Sequence, residues 1–510
     1  MTDYDPILTA KLIKGFKQGF DLGYRGYPDN NLNISNLTST KDHPTVINKT
    51  ISKELAAGRI VGPFKQLPFD NFQINPIGVV PKKSPGTFRM ITNLSSPAGT
   101  SVNDNISDVF SNVSYTSFEE AIKIIISVGS QAFLAKTDIQ SAFRLIPIHP
   151  NQYHILCFKW DDDFYYDRCL PMGARSSCQI FEEFSSALHF IMNKQKIRYL
   201  VHYLDDFLIV NTSFERCQSD LNLFLNISKS LGVPIATDKT CPPTQTIQFL
   251  GLEIDTLSET VRLPSDKLEK ARLQISLFLK QKKCTLRDLQ SLLGLLQFTC
   301  RVIIPGRAFL QNLYRLSAGY SKPFHKIRLT LNTKKDLEIW LQFLDHFNGI
   351  SLYRDELFLS PSVVNIYTDA SKTLGAGAVW GDNWFSISWP SDWWSAQNIT
   401  FLELVPIVLA MEIWGPILKN HCIQLNTDNL SLAFVINKQS SKEHLVRILI
   451  RRLVLTALKH NILIKADHIP GHFNKLSDCL SRQQIALFFY LHPSANKTQS
   501  LVPPLPPKMN

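Results

Sequence analysis

The chain has 510 residues, of which 44% are hydrophobic and 11% aromatic, and this composition excludes a disordered polymer. Its length exceeds what one hydrophobic core can hold, so several folded domains are expected. Its formal net charge of +11 suits a polyanionic partner such as nucleic acid, because neutralising phosphates releases counterions. Nine cysteines without a CxxC pair argue against a disulfide scaffold and against a zinc site, so a reducing compartment is expected. The apolar runs fall short of the roughly 20 residues that span a bilayer, so no membrane span is expected.

The first segments of the chain differ in character. Residues 1–45 are rich in Asn, Gly, Tyr and Thr, which predicts a loosely structured extension. Further on, Lys82 and Arg89 flank a Ser-Pro-Gly turn between two predicted strands. Basic side chains on a hairpin suit a triphosphate, because the planar fork of arginine binds phosphate oxygens bidentately. From these residues alone, a solvated basic turn is the alternative.

Three carboxylates lie at the ends of apolar strands. Asp138 closes the run FLAKTDI, and Asp205 and Asp206 interrupt the run YLDDFLIV, which predicts a buried hairpin with charges at its tip. A charge near a core is costly unless it holds a cation. Three such carboxylates suit a pair of Mg²⁺ ions, which take oxygen ligands and support phosphoryl transfer. An Asp-Asp pair taken alone is more often a solvated turn.

The segment from Ser265 to Phe347 has helical periodicity. One apolar face is predicted from the spacing of Leu268, Ala271, Ile275 and Phe278. Thr285 and Asp288 predict the capped start of the next helix. A mixed stretch from Tyr353 to Ser362 marks a domain junction, and the proline-rich end SLVPPLPPKMN is expected to be extended.

A second acidic set follows residue 360. Asp369 and Asp428 each end a predicted strand, whereas Glu403 and Asp478 fall on segments of helical pattern, so strand tips and helix faces are expected to converge. Each acid also has a structural alternative. Glu403 follows Thr400 by three residues and could close a capping box, Asp428 could cap a helix, and Asp478 could be a solvated helical residue.

Six segments, in order, resemble the reverse transcriptase family over roughly residues 50 to 258. They are INPIGVVPKKSPGTFRMITNLSSP, LAKTDIQSAFRLIPIHP, RCLPMGARSSCQIFEEF, YLDD, GVPIATDK and FLGLEI. The resemblance implies that Lys82 and Arg89 grip the triphosphate, that Phe143 lies beneath the incoming sugar and selects deoxynucleotides, and that Lys239 acts near the leaving pyrophosphate. It implies nucleotide, template or primer contacts for Met172, Gly173, Phe249, Leu250 and Gly251. From the residues alone, Phe143 and Met172 could be core and Lys239 a surface lysine.

The second acidic set resembles ribonuclease H over about residues 362 to 485, with all four carboxylates of that family's metal site in order. The resemblance implies that water attacks the RNA strand of an RNA–DNA hybrid at a second two-metal site. The helical segment before it and the ending DHIPGHFNKLSDCLSR look most like DIRS-type retrotransposons, with Gypsy-like elements as the nearest competitor.

These resemblances predict a multidomain α/β fold, with a right-hand polymerase followed by a ribonuclease H-like domain. The expected parts are an extension (1–45), fingers and palm (46–258), a helical thumb and connection (259–352), the ribonuclease H-like domain (362–485) and a proline-rich tail (486–510). The seven catalytic and metal-binding residues are Asp138, Asp205, Asp206, Asp369, Glu403, Asp428 and Asp478.

The predicted function is an RNA-directed DNA polymerase with an attached ribonuclease H, serving retrotransposon replication. Each site is expected to use two Mg²⁺ ions, with Mn²⁺ as a substitute. The expected partners are an RNA template, a DNA primer, deoxynucleoside triphosphates and the RNA–DNA hybrid. The expected location is the cytoplasm, the nucleus or a retroelement particle. The alternative is a catalytically inert or domesticated copy that only binds nucleic acid.

Overall fold

The computed structural model describes residues 3–82, 86–346, 350–351, 363–390, 398–419, 421–460 and 462–503. The predicted Ser-Pro-Gly turn, apart from its Gly86, lies outside these residues, as do the predicted junction up to Ser362 and the last seven residues. The chain forms two compact units, one of residues 1–250 with 255–257 and the other of residues 251–254 with 258–510. Each unit is mixed α/β. No helix among the described residues is long and apolar enough to cross a membrane.

In its described residues, the first unit is built from short strands and six α-helices. Its helices are Pro6–Gln18, Ser39–Asp42, Pro44–Ala56, Phe118–Val128, Ser177–Lys194 and Phe214–Ser230. Its strands are Ile60–Phe64, Ile77–Pro81, Phe88–Thr92, Phe133–Asp138, Cys157–Trp160, Asp163–Asp167, Leu200–Tyr203, Asp206–Asn211, Cys241–Thr244 and Thr246–Phe249.

A four-stranded antiparallel sheet is central to this unit. Its strand order is Leu200–Tyr203, Asp206–Asn211, Phe133–Asp138, Cys241–Thr244. The helices Ser177–Lys194 and Phe214–Ser230 pack against this sheet. Burying large side chains such as Phe207 and Phe224, which pack at 5.1 Å between ring centroids, stabilises this layer by about 1.5–3 kcal/mol for each side chain. The sheet therefore offers a rigid base for the residues at its strand ends.

The prediction that residues 1–45 are loosely structured is wrong. Asp5 caps a helix that begins at Pro6, and its side chain accepts hydrogen bonds from the backbone of Ile7 and Leu8. Apolar residues that the local composition hides are buried in the core of the unit: Leu12, Phe20, Leu22 and Tyr24. Their burial, rather than local propensity, orders the segment.

The part of the second unit before residue 350 combines helices with short strands. Its α-helices before residue 350 are Ser265–Lys280, Leu286–Thr299, Gln311–Ser317 and Leu331–His346. The predicted capping box is confirmed, because Thr285 accepts from the backbone N–H of Asp288 while the Asp288 carboxylate accepts from the Thr285 backbone. The short strands here are Leu252–Asp255, Thr260–Arg262, Lys283–Thr285, Lys326–Arg328 and Ile350–Ser351.

A five-stranded sheet dominates the rest of this unit. Its strand order is Asn383–Ser388, Gly375–Trp380, Val364–Ala370, Cys422–Thr427, Leu463–His468, with the first three antiparallel and the last two parallel to Val364–Ala370. The helices are Ile399–Trp414, Leu430–Lys438, His444–Lys459, Lys475–Ser481 and Ile485–Leu491.

Two details of this unit position functional groups. A Cβ atom at Gly377 would lie 2.3 Å from the Leu480 side chain, so only glycine lets the helix Lys475–Ser481 approach the sheet this closely. The predicted tail is partly ordered: residues Ile485–Leu491 are helical, and the backbone of Asn496 and Ser500 donates to the carbonyls of Asp382 and Trp384.

Candidate active sites

The first acidic cluster lies at one end of the central sheet of the first unit. Asp138 ends its strand directly opposite Asp206, the first residue of the neighbouring strand. Asp205 lies in the tight turn that precedes Asp206, and Leu204 in the same turn has a φ of +53°. Leucine rarely adopts this left-handed conformation, so the turn holds backbone strain of the kind found at functional sites. The predicted hairpin with charges at its tip is confirmed.

Burial and mutual repulsion perturb these acids. Burial, reinforced by the charge of Asp138, raises the pKa of the Asp205 carboxyl to about 6. Burial also raises the pKa of Asp206, although the charge of Lys136 opposes the shift. Asp138 therefore lies close enough to Asp205 and Asp206 to oppose the ionisation of both.

Two lysines neutralise part of this charge. The Lys239 ammonium donates to both carboxylate oxygens of Asp138, at 3.0 and 2.9 Å. Burial lowers the pKa of Lys239, but the hydrogen bond and charge of Asp138 outweigh it and the net pKa is raised. Lys239 is thus paired with the cluster, and its side chain, 57% exposed, also lies at the surface as the alternative predicts.

Lys136 was not predicted from the sequence. Its ammonium lies 3.8 Å from a carboxylate oxygen of Asp206. Lys136 stands two residues before Asp138, so it shares that residue's face of the strand, and this period of two is the signal that could have found it.

A cleft of about 670 Å³ in the same unit collects several predicted nucleotide and template contacts. Arg89, Met172 and Gly173 line it. Arg89 is exposed on the strand Phe88–Thr92, and Lys82 is exposed just after the paired strand. The Met172 side chain is 63% exposed, so the core-filler alternative is wrong. These residues offer positive charge and an open surface to a ligand.

Asn103 holds the loop that lines one side of this cleft, and sequence reasoning missed it. Its side-chain amide donates to the carbonyl of Gly173 at 2.9 Å and accepts from the backbone N–H of Arg175 at 2.8 Å. Because both bonds reach the backbone on either side of residue 174, Asn103 fixes the loop that carries Met172 and Gly173. No local sequence pattern around Asn103 predicts its contact with Gly173, which lies 70 residues away in the chain.

Phe143 and the predicted primer-contact hairpin are placed differently. Phe143 is 7% exposed and stacks on Phe181 at 4.9 Å between centroids, so its ring is held in the core, as the alternative reading predicts. Phe249 is 1% exposed, so its ring supports the core, and the predicted contact with nucleic acid stays a prediction for the turn of Leu250 and Gly251. Both turn residues have positive φ, +47° and +79°, as in type I′ hairpins.

The second acidic cluster lies on the five-stranded sheet of the second unit. Asp369, Glu403 and Asp428 each offer a carboxylate oxygen, and these oxygens lie within 4.8 Å of one another. In the described part of the chain, this is the one group of three or more His, Cys, Asp or Glu residues with that geometry. Asp478 is outside this triplet, because its carboxylate accepts from Arg482 at 2.6 Å.

The structural alternatives for two of these acids are wrong. The helix that carries Glu403 begins at Ile399 and is capped by Asn398, whose side chain accepts from the backbone of Thr400. The helix after Asp428 is capped by Asn429. Neither Glu403 nor Asp428 therefore caps a helix.

Burial controls the charge of this triplet. Burial, reinforced by Asp369 and Asp428, raises the pKa of the Glu403 carboxyl to about 9. Burial also raises the pKa of Asp369 to about 6. A hydrogen bond from Ser481 lowers this pKa, whereas repulsion from Asp428 and Asp478 raises it further. One buried oxygen of Glu403, Oε2, has no hydrogen-bond partner. An unpartnered buried oxygen among like charges fits a site for a hard cation.

Residues near Asp478 support the triplet and were missed from sequence. The Ser481 hydroxyl donates to the Asp369 carboxylate, and the side chain of Asn474 donates to the carbonyl of Thr368 at 2.9 Å. Both belong to or border the helix of Asp478, so that helix is tied to the strand of Asp369. Ser481 lies one turn after Asp478 in the sequence, which is the available signal.

Comparisons with known proteins agree with this architecture. Residues 80–254 match the family model "Reverse transcriptase (RNA-dependent DNA polymerase)". The Gag-Pro-Pol polyprotein of Human T-cell leukemia virus 2 is 28% identical over 318 residues, 59% of this chain and 19% of that protein. Protein P of a duck hepatitis B virus is 30% identical over 119 residues, 23% of this chain and 15% of that protein. The chain thus spans at most about a fifth of these relatives.

Two solved structures of a foamy virus protease-reverse transcriptase share the fold. One, in complex with double-stranded DNA, has a TM-score of 0.54 at 18% identity and covers 92% of this chain and 80% of that chain. The other, in complex with an RNA/DNA hybrid, has a TM-score of 0.52 at 17% identity and covers 92% of this chain and 62% of that chain. The predicted fold class is confirmed, and residues 80–254 are similar to reverse transcriptases, with retroviral and hepadnaviral proteins among the similar sequences.

Proposed function

We propose that this chain is an RNA-directed DNA polymerase with an attached ribonuclease H that serves the replication of a retrotransposon. The observation that carries the proposal is the coupled cluster of Asp138, Asp205 and Asp206 within the reverse transcriptase domain. The triplet of Asp369, Glu403 and Asp428 supports the second activity.

In the polymerase site, Asp138, Asp205 and Asp206 would hold two Mg²⁺ ions, or Mn²⁺. Bound ions of this kind stabilise the attacking oxygen of the primer 3′-hydroxyl and the leaving oxygen of pyrophosphate. Lys239 supplies positive charge beside Asp138, where pyrophosphate departs. Arg89 binds the triphosphate from the cleft, since its guanidinium is exposed there.

In the nuclease site, Asp369, Glu403, Asp428 and Asp478 would hold the ions that activate water against the RNA phosphodiester. The hydroxyl of Ser481 orients the Asp369 carboxylate by hydrogen bonding. Asp478 is more exposed and is paired with Arg482, so it is available at the rim of the site, where substrate enters.

A DIRS-type origin is part of the proposal. It is supported by the helical segment LQSLLGLLQFTCRVIIPGRAFLQNLYRL, which folds as two helices, Leu286–Thr299 and Gln311–Ser317, and by the ending DHIPGHFNKLSDCLSR. The alternative is a Gypsy-like element, and sequencing the flanking genome would distinguish it from a DIRS-type element.

The test uses the full chain with an RNA template, a DNA primer, Mg²⁺ and deoxynucleotides. We expect Asp205→Asn to abolish primer extension and to leave cleavage of a labelled RNA–DNA hybrid intact. Asp478→Asn and Asp369→Asn should do the reverse. Loss of both activities from one substitution in folded protein contradicts two separate sites. Hybrid binding without extension or cleavage in the unsubstituted chain favours the inert copy instead.

A further inference from the structure

A small basic pocket in the second unit shares no residue with the acidic triplet. It has a volume of about 240 Å³ and is lined by Asn312, Asn332, His444, Arg447, Ile448 and Arg451. The first two lie in the helical segment that precedes residue 350, and the others lie on the first two turns of the helix His444–Lys459. The pocket therefore requires tertiary contact between these two parts of the unit.

The pocket has more positive than negative charge. Arg451 forms an ion pair with the buried carboxylate of Asp336, which also accepts from the Asn312 amide at 2.7 Å. Arg447 is 6% exposed, and its guanidinium donates to the carbonyl of Lys442 at 3.2 Å. Among the described residues, no carboxylate pairs with Arg447, and Arg315 is near enough to oppose its charge.

Arg447 has unused hydrogen-bonding capacity at the pocket. Its Nη1 donates to one carbonyl oxygen, and within the described part of the chain its Nε and Nη2 form no hydrogen bond with the protein. Because Arg447 lines the pocket, an anion there would accept from these N–H groups.

The shape and polarity of the pocket favour a phosphate group. A volume of about 240 Å³ holds a tetrahedral oxyanion but not a nucleotide. Arginine forks bind phosphate oxygens bidentately, and asparagine amides can donate to the remaining oxygens. The pocket also lies at the start of a 16-residue helix whose N-cap, Glu443, makes no capping bond, so backbone N–H groups there add positive potential.

The pocket lies at the same end of the domain as the acidic triplet. Asn398 caps the helix that carries Glu403, and its amide donates to the Glu443 carboxylate at 2.7 Å. The two helices also meet farther along, where Arg452 pairs with Glu412. They consequently run parallel, with Glu403 and Arg447 each near the start of its helix.

We propose that this pocket binds a backbone phosphate of the RNA–DNA hybrid while the hybrid lies in the nuclease site. The proposal rests on the proposed function for its substrate. The shared chemistry is a phosphate oxyanion, which could also be supplied by free inorganic phosphate. Arg447 and Arg451 act as positioning residues that set where along the hybrid the acidic triplet cuts.

The test compares charge-removing variants in full-length Asp369→Asn protein, which keeps the hybrid uncut. Arg447→Met removes the buried charge and keeps most of the side-chain volume. Arg315→Met is a second variant that does not threaten folding, because Arg315 is exposed. Lys459→Met is the control, since it removes one charge from the far end of the same helix, about 18 Å away.

Hybrid affinity is measured by fluorescence anisotropy at several salt concentrations, and folding by circular dichroism. We expect Arg447→Met to weaken binding about tenfold, as for one lost charge-assisted hydrogen bond. It should also reduce the slope of log affinity against log salt by about 0.9, the loss of one phosphate contact. Arg315→Met should show a smaller loss in the same direction, and Lys459→Met should match the unsubstituted chain.

A second arm separates the two sources of phosphate. Inorganic phosphate is titrated against each protein, and the melting temperature of the second unit is followed. Stabilisation that Arg447→Met abolishes, with unchanged hybrid affinity, would assign the pocket to free phosphate and overturn the hybrid contact. If Arg447→Met equals Lys459→Met in both arms, the pocket binds no phosphate. Neither result bears on extension or cleavage by the unsubstituted chain, so the proposed function is judged separately.

Discussion

Replacing Glu403 with glutamine should stabilise the metal-free protein at neutral pH. Burial among Asp369 and Asp428 raises the pKa of the Glu403 carboxyl to about 9, so this residue is protonated in the folded chain at pH 7. Glutamine has nearly the shape of the protonated acid and cannot ionise. The substitution therefore removes a proton-uptake cost without opening a cavity.

The sign and size follow from the two protonation states. Above pH 4.5, the ordinary value, the unfolded chain releases this proton while the folded chain retains it until about pH 9. The folded state thus binds more protons, and stability falls as pH rises through this window. From pH 4.5 to pH 7, at about 1.4 kcal/mol per pH unit, the penalty reaches about 3 kcal/mol. Glu403→Gln should regain about that amount at pH 7 and nothing near pH 4.

Tryptophan fluorescence during urea unfolding in EDTA is a suitable assay, because seven of the eight tryptophans follow residue 330 in the sequence. The difference in unfolding free energy between the variant and the unsubstituted chain is measured at pH 4.5, 6 and 7. The same titration with Mg²⁺ provides the control, since binding to the native state alone stabilises the unsubstituted chain and should stabilise Glu403→Gln much less.

A difference that stays constant from pH 4.5 to pH 7 would refute the reasoning, because it would come from packing rather than from proton uptake. A variant that is less stable at pH 7 would show that the Glu403 carboxylate is ionised and favourably paired. Equal stabilisation of both proteins by Mg²⁺ would show that Glu403 is not a ligand.

Three further predictions concern the polymerase site. Lys239→Met should tighten Mg²⁺ binding about twofold to fivefold, because an exposed ion pair that competes for Asp138 is worth about 0.2–1 kcal/mol. The affinity is measured by calorimetric titration without nucleotide, and an unchanged value would mean that the lysine does not compete. Since the pKa of Asp205 is about 6, extension at limiting Mg²⁺ should fall steeply as pH drops below 6, and a flat profile down to pH 5 would contradict this. Phe143→Val should raise the incorporation of ribonucleotides relative to deoxynucleotides in kcat/KM, and an unchanged ratio would remove Phe143 from sugar selection.

The strand-end acids could be predicted because their signal is local. Asp138, Asp206 and Asp369 each lie at one end of a largely apolar strand, and a charge close to a core is costly unless it is paired or holds a cation. Glu403 required more, since its helix is apolar on every side and only its order in the resemblance singled it out. The local alternative, a capping box with Thr400, failed because the helix starts two residues earlier than that pattern implied.

Contacts between distant segments left no such signal. Asn103 holds the loop at Gly173 from 70 residues away, and Arg447 meets Asn312 only after the helices of the second unit have packed. The same limit explains the error over residues 1–45. Their composition is polar on average, and the few apolar side chains, such as Leu12 and Phe20, are buried by tertiary packing that composition does not report.

Repulsion between neighbouring carboxylates is reduced in a different way in each of the two acidic clusters. In the cluster of Asp138, Asp205 and Asp206, Lys136 and Lys239 offset the carboxylates. In the triplet, no Lys or Arg of the described residues forms an ion pair with Asp369, Glu403 or Asp428, and proton retention by Glu403 reduces the repulsion instead. A cation that enters the first cluster must therefore displace an ammonium group, whereas one that enters the triplet must displace a proton. Because proton release makes affinity pH-dependent, cation binding above pH 7 should vary more steeply with pH at the triplet than at the first cluster.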